Sequence, residues 1–280
     1  MNFIQDKTMI SYPQKPKIVE KKENWARFEM EALYPGYGVT VGNSLRRVLL
    51  SSLSGAAVTQ VRIKNVPHEF SSIPGVLEDI IIIMQNLKQM RFKLHGDEPQ
   101  TATLKIKGEK KIKASDFKFP SQIELINKNC HIATTTQKSA ELEMEIRVEK
   151  GTGYSPWERD TKEKLEIGSV PLDAIFTPVR RVSFKVENMR VGKRTDFDRL
   201  FLEIETDGTI SPEDALGRAS EILVKHFAMI SDEFAKEEKK EEKAESKKEK
   251  KSAIKKTDKK KAVKKTVKKD EKKKKGKKTK

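Results

Sequence analysis

An α+β fold, with helices packed on sheets and a lysine-rich tail outside the core, is what this 280-residue sequence predicts. Three observations carry that expectation. Long segments repeat apolar residues at helical spacing, several shorter ones alternate apolar and charged residues as strands do, and the final stretch carries almost no large apolar side chains. Of 59 basic and 42 acidic residues, 24 Lys and 9 Asp or Glu fall between Ala235 and Lys280, a net charge of +15. Residues 1–234 keep 35 basic and 33 acidic side chains, so the body is nearly neutral and its partners cannot be inferred from the high overall pI.

Taken in order, residues 1–22 mix Pro13, Pro16 and several lysines and are expected to form an arm or an irregular edge segment. In Trp25–Leu33, Trp25, Arg27, Glu29 and Glu31 oppose Ala26, Phe28, Met30 and Ala32, the pattern of a strand with one apolar side. Gly36, Gly38 and Gly42 then let the chain turn, and Thr40 or Asn43 is expected to cap a helix. Val41, Leu45, Val48, Leu49, Ser52 and Leu53 share one face of that helix, widened by Leu50. Arg46 and Arg47 stand on this otherwise apolar segment. Two readings are open for them: solvated charges on a core helix, or a protein interface in which arginine stems are buried and their donor forks reach carboxylates or carbonyls.

Ser54-Gly55 stops the helix, and Ala56–Ile63 returns to strand alternation. A second helix is expected over Val76–Lys88, with Val76, Ile80, Ile83 and Leu87 on one face, Leu77, Ile81 and Met84 broadening it, and Glu78 and Asp79 suiting its N-terminus. Residues 90–150 read as β-rich, because 101–107 and 140–148 alternate sharply. Gly151–Trp157 reads as a loop without the spacing of a phosphate cradle. Arg181–Glu187 and Leu200–Thr206 read as strands separated by a loop over Asn188–Thr195. Ser211-Pro-Glu-Asp214 then opens a helix, with Ser211 as cap and Pro212 at the first helical position. Ala215, Leu216, Ala219, Ile222, Leu223, Phe227 and Ile230 form its apolar face. Residues 237–249 are expected to extend this helix for some turns, and the last 30 residues to be disordered for want of apolar burial.

Catalytic chemistry is hard to assemble from this chain. His68, His95, His131 and His226 lie far apart without ligand spacing, and Asp196 with Asp198 is a weak magnesium signal better read as ion pairing or loop orientation. Cys130 stands alone, which excludes an intrachain disulfide and fits a small packed residue rather than a nucleophile. No uncharged run reaches the length of a membrane span, so a cytoplasmic protein without membrane contact is expected.

Several separated motifs, in order, resemble the alpha subunit family of bacterial DNA-directed RNA polymerase. They are Gly42-Asn-Ser-Leu-Arg-Arg-Val-Leu-Leu-Ser-Ser52, His68-Glu-Phe-Ser with Gly75-Val-Leu-Glu-Asp79, Asn86-Leu-Lys88, Gly151-Thr-Gly-Tyr154, Val191-Gly-Lys-Arg-Thr-Asp-Phe-Asp198 and Thr206–Ala215. The resemblance covers about residues 20–234. It implies a noncatalytic scaffold of a nucleotidyltransferase complex, which homodimerises and recruits the beta and beta-prime subunits, with sigma factor joining through the assembled holoenzyme. It also implies a discontinuous dimerisation domain over residues 1–54 and 180–234, an inserted β-rich domain over 55–179 and a basic tail over 235–280.

By the same resemblance Arg46 is the leading beta-subunit contact, with Arg47 beside it. Lys88, Gly151, Gly153 and Tyr154 are weaker large-subunit candidates, and Val170–Arg180 resembles a segment near the large subunits. Leu45, Leu49, Leu216, Leu223 and Phe227 are candidates for a dimer core. No cofactor is expected on this chain; magnesium belongs to the large subunits. The sequence departs from the family after Phe234, where lysines stand in place of a compact DNA-binding domain. Sequence-selective DNA recognition is therefore not carried over, and the tail is expected to contact DNA or RNA nonspecifically. The competing function is a free nonspecific nucleic-acid-binding protein acting through that tail.

Overall fold

The computed structural model describes residues 12–66, 68–156 and 168–233. The predicted N-terminal arm before residue 12, the helical extension over 237–249 and the disordered tail lie outside the described residues. The chain divides into two units, residues 1–223 and 224–280.

In chain order the first unit runs β1 (Lys17–Lys22), β2 (Trp25–Leu33), α1 (Tyr37–Ser51), β3 (Ser54–Ile63), α2 (Ile80–Lys88), β4 (Phe92–Leu94), β5 (Gln100–Lys107) and β6 (Lys110–Lys113). It continues with β7 (Ile123–Leu125), β8 (His131–Thr135), β9 (Glu141–Thr152), β10 (Tyr154–Ser155), β11 (Ser169–Pro171), β12 (Ala174–Ile175), β13 (Val179–Val191) and β14 (Arg194–Thr206). A helix, α3, begins at residue 212.

Two sheets organise these elements. One has four antiparallel strands in the order β1-β2-β14-β13, so the start and end of the unit pair directly. Phe28, Met30, Leu200, Leu202 and Ile204 point from it into a core closed by Leu45 and Leu49 of α1 and by Ala215, Leu216 and Ala219 of α3. The other runs β5-β9-β3-β4-β7 with β11 added to β3, and its core gathers Ile80, Ile83 and Leu87 of α2 with Leu104, Met144 and Ile146. The predicted α+β class, with helices on one sheet and a β-rich region between its halves, is what the chain adopts.

Four local readings need correction. Ala32 is not on the buried side of β2: it sits at φ 61°, in a bulge where the pairing with β14 shifts, and Leu33 takes the buried place. One extra residue reverses every side chain beyond it. The second helix begins at Ile80 rather than Val76. Val76 bridges to Thr135, the Leu77 N–H donates to the Thr134 carbonyl at 2.9 Å, and the Glu78 carboxylate accepts from the Thr134 N–H at 2.6 Å. These bonds to β8 replace another helical turn, so Glu78 is an anchor to a strand. Gly151–Tyr154 is not a loop either, since Gly151 pairs with Gly55 and Tyr154 with Ile175; Trp157 lies outside the described residues. The predicted loop over 188–195 is mostly strand, because β13 and β14 stay paired out to Val191 and Arg194 and leave only Gly192 and Lys193 for the turn.

A buried ion pair joins the two sheets. Arg91, just before β4, places Nε 3.3 Å from Oδ2 of Asp207, just after β14, at an angle that makes a charge contact rather than a hydrogen bond. The Asp207 side chain is 4 % exposed and that of Arg91 20 %. Asp207 Oδ1 accepts from the Thr209 N–H and hydroxyl, while Arg91 Nη1 donates to the carbonyls of Lys88 and Met90. Burial lowers the Arg91 pKa, the Asp207 charge opposes this, and neighbouring Arg180 adds to the lowering. Removing one partner of such a pair leaves the other largely buried without its counter-charge. Asp207→Ala is expected to destabilise the chain by about 3 kcal/mol, whereas Arg91→Met with Asp207→Ala costs less than the single change. Equilibrium urea unfolding of the three variants measures this coupling.

Candidate functional site

The site is built on α1, whose position is set by groups far away in sequence. Gly36 occupies the N-cap at φ 84° and has no side chain to satisfy the helix's first amides. Asp198 of β14 does so instead: its Oδ2 accepts from the N–H groups of Gly36 and Gly38, each at 2.9 Å. A carboxylate at this end also meets the positive pole of the helix. Thr40 and Asn43 do not cap; the helix begins earlier, and the Thr40 hydroxyl donates back to the Gly36 carbonyl at 3.2 Å.

Glycine then lets α1 lie close on the sheet. A Cβ on Gly38 would stand 2.7 Å from Val186, and one on Gly42 would stand 2.8 Å from the Phe184 ring. These glycines therefore act in packing, one turn apart, rather than only in turning the chain. The signal was present in the sequence as small residues at i and i+4 on the same face as Leu45 and Leu49. With that face against the sheet, Arg46 and Arg47 lie roughly 100° and 200° round the helix from Leu45 and are exposed. Among the described residues neither guanidinium has a hydrogen bond or ion pair. Tyr37 and Val39 are exposed on the same helix.

The weaker candidates form a contact path leading away from the end of α1. Gly153 has φ 65°, and a Cβ there would lie 3.1 Å from the Ser51 carbonyl oxygen. Its own carbonyl accepts from the Phe176 N–H at 2.8 Å, and Tyr154 pairs with Ile175, both side chains being exposed. Next along the chain, Asp173 accepts from Lys88 Nζ at 3.2 Å, so Lys88 is an ion-paired, half-buried residue. Gly151 has a packing reason of its own: a Cβ would meet the Phe176 ring at 2.7 Å.

Burial redistributes the dimer-core candidates. Leu45, Leu49 and Leu216 are buried in this chain's own core, and Leu223 packs partly against it. In the second unit residues 224–233 are helical with every side chain exposed, and Phe227 is 62 % exposed beside Val224, Met229 and Ile230. Leu77 and Ile81, expected to broaden the apolar face of the second helix, are exposed instead, Leu77 because it precedes α2 and Ile81 because it faces away from the core, and Phe70 and Ile82 are exposed as well. Ile81 and Ile82 fall opposite the Ile80, Ile83 and Leu87 stripe, a placement that the helical spacing of α2 already contains.

Comparison with other proteins agrees with this architecture. The family pattern described as the RNA polymerase Rpb3/RpoA insert domain matches residues 61–177. The DNA-directed RNA polymerase subunit alpha of Roseiflexus sp. (strain RS-1) is 47% identical over 218 residues, which span 78% of this chain and 67% of that protein. That of Roseiflexus castenholzii is 47% identical over 218 residues with the same two coverages, and that of Carboxydothermus hydrogenoformans is 47% identical over 218 residues, 77% of this chain and 69% of the relative.

Because Asp198 satisfies two amides of α1 from a buried position, Asp198→Ala is expected to cost about 2 kcal/mol in chemical denaturation. Asp198→Asn, which keeps an acceptor oxygen without the charge, is expected to cost less. Equal losses for both variants would show that the charge, rather than the acceptor, holds the helix end.

Proposed function

Because this chain belongs to the family of bacterial-type DNA-directed RNA polymerase alpha subunits, we propose a division of its surface that serves the family's task. The chain is a noncatalytic assembly scaffold in the polymerase complex with the beta and beta-prime subunits. In our reading residues 1–54 and 180–234 make a discontinuous dimerisation domain, residues 55–179 an inserted β-rich domain and residues 235–280 a basic tail. Two sheets with separate apolar cores support that division.

Arg46 and Arg47 form the beta-subunit contact. The observation that carries this assignment is that both are exposed and unpaired among the described residues, on a helix whose other face is locked to the sheet. A guanidinium held this way offers its donors to a partner's carboxylate or carbonyls without first breaking an internal bond. Tyr154, with Gly151 and Gly153 shaping its strand, extends the large-subunit surface toward Lys88, and the exposed Phe70, Leu77, Ile81 and Ile82 add apolar area. Homodimerisation uses Phe227 and its exposed neighbours, while Leu45, Leu49, Leu216 and Leu223 support the helices from beneath. A two-fold dimer presents equivalent surfaces twice, and occupation by the first large subunit makes the second binding event distinct. Sigma factor joins through the assembled enzyme.

Among the described residues no three His, Cys, Asp or Glu side chains gather so as to hold a metal ion, and no helix is long and apolar enough to cross a membrane. In our reading phosphoryl transfer belongs to the large subunits, where magnesium would act. The tail, with its net +15, contacts promoter DNA or RNA through phosphates without reading bases.

Arg46→Ala is expected to weaken beta-subunit recruitment by about 2–5 kcal/mol in a quantitative pull-down, with homodimer sedimentation unchanged. Normal recruitment would remove Arg46 from the interface, and loss of the dimer would give it an architectural role instead. Polymerase reconstituted with residues 1–234 in place of the full chain is expected to bind promoter DNA more weakly and with a shallower salt slope. An unchanged slope would leave the tail as a solvated appendage.

A further inference from the structure

We infer that Phe176 is a positioning residue of the large-subunit surface, the anchor that holds Tyr154 and its strand partner Ile175 in place beside the end of α1. The inference rests on the reading of Tyr154 as a large-subunit contact and extends that contact to Ile175. Gly55 of β3 and Gly151 of β9 stand directly opposite each other in an antiparallel ladder, so side chains on them would share one face of the sheet. Neither has one, and the sheet presents bare backbone there. Phe176 lies across it. Its ring fills the space over Gly151, where a Cβ would come within 2.7 Å, and its carbonyl oxygen sits over Gly55 too closely for any Cβ. With Ala57 and Ala174 it forms a small buried cluster separate from the two large cores.

What this cluster supports is a ribbon. β10 and β12 have 2 residues each and among the described residues pair only with each other, Tyr154 with Ile175 and Ser155 with Ala174. A pairing so short does not hold itself together in water. Phe176 secures it from both sides: its N–H donates to the Gly153 carbonyl at 2.8 Å, closing the ribbon, while its ring and carbonyl rest on β9 and β3.

Tyr154 and Ile175 are both exposed, and as cross-strand neighbours they present one apolar patch. The patch continues into α1. A Cβ on Gly153 would lie 3.1 Å from the Ser51 carbonyl oxygen, and the Ser51 hydroxyl donates to the carbonyl of Arg47, one turn back along the helix. That continuity assigns the patch to the subunit that meets Arg46 and Arg47. An unanchored ribbon would have to be ordered when the partner arrived, and that cost would subtract from the affinity. With Phe176 in place it is met in folding.

The test is quantitative capture of the beta subunit by the full-length chain, with variants arranged as a double-mutant cycle. Tyr154→Ser with Ile175→Ser is expected to weaken capture about tenfold, and Phe176→Ala by a similar factor. Because Phe176 acts through the ribbon, adding Phe176→Ala to the ribbon pair should cost nothing further. Losses that multiply would overturn the positioning role, since a general loss of stability weakens capture whatever stands at 154 and 175. If Phe176→Ala lowers the unfolding midpoint, Phe176→Leu decides, with a smaller loss that must also vanish in the ribbon background. Normal capture by the ribbon pair would remove Tyr154 from the interface and overturn the role with it. Amide hydrogen exchange tests the anchor without any partner: in Phe176→Ala, residues 153–155 and 174–176 should exchange at least about tenfold faster while β14 is unchanged. Unaltered exchange in the ribbon would overturn the anchor itself.

Discussion

The carboxylate of Asp198 at the N-terminus of α1 is the interaction on which the proposed assembly surface depends. Gly36 and Gly38 can enter the helix closely packed on the sheet because they lack side chains, and for the same reason they cannot cap it. A residue 160 positions later supplies what they lack. The charge is buried, yet it receives two backbone N–H groups and lies at the favourable end of the helix dipole. Because β14 carries both Asp198 and Leu200, one strand caps α1 and forms part of the surface beneath it. The orientation of Arg46 and Arg47 follows from that seating.

A scaffold gains from this economy of motion. Exposed arginines on a loosely held helix would surrender conformational freedom when a partner bound, whereas those on α1 have had the backbone part of that cost met in folding. The same logic extends along the path from Ser51 through Gly153 to Lys88, where strand pairing and close glycine contacts replace what the sequence presented as a loop. Between the two sheets the restraint is electrostatic: Asp207 and Arg91 are each tied to backbone or hydroxyl groups of their own segment as well as to each other, so the pair transmits position from one core to the other.

Local rules read correctly wherever the deciding groups are near in sequence. The alternation within 101–107 and 140–148 survives as β5 and β9. Ser211 caps its own helix, its hydroxyl oxygen accepting the Asp214 N–H at 3.1 Å. Errors fall where a distant group intervenes. Val76–Asp79 has helical spacing, but β8 takes the Leu77 amide and the Glu78 carboxylate; Gly151–Tyr154 has loop composition, but β3 and β12 pair with it. The long β13–β14 hairpin overrode a polar composition at 188–195, because a strand edge tolerates charged side chains that point to water.

By itself the sequence determined the class of the fold, the neutral body and basic end, part of the core face of each main helix and the motifs that carry the family likeness. All of these are written in residue order, as periodicity, charge and spacing. Only the tertiary structure decided that Asp198 caps α1, that Gly38 and Gly42 set its distance from the sheet, that Leu45, Leu49 and Leu216 are spent on this chain's own core, and that Arg46 and Arg47 are left unpaired among the described residues. The physical reason is the same for each. Whether a side chain is core, cap or contact depends on which groups from other elements arrive beside it, and that follows from chain packing rather than from neighbours in sequence.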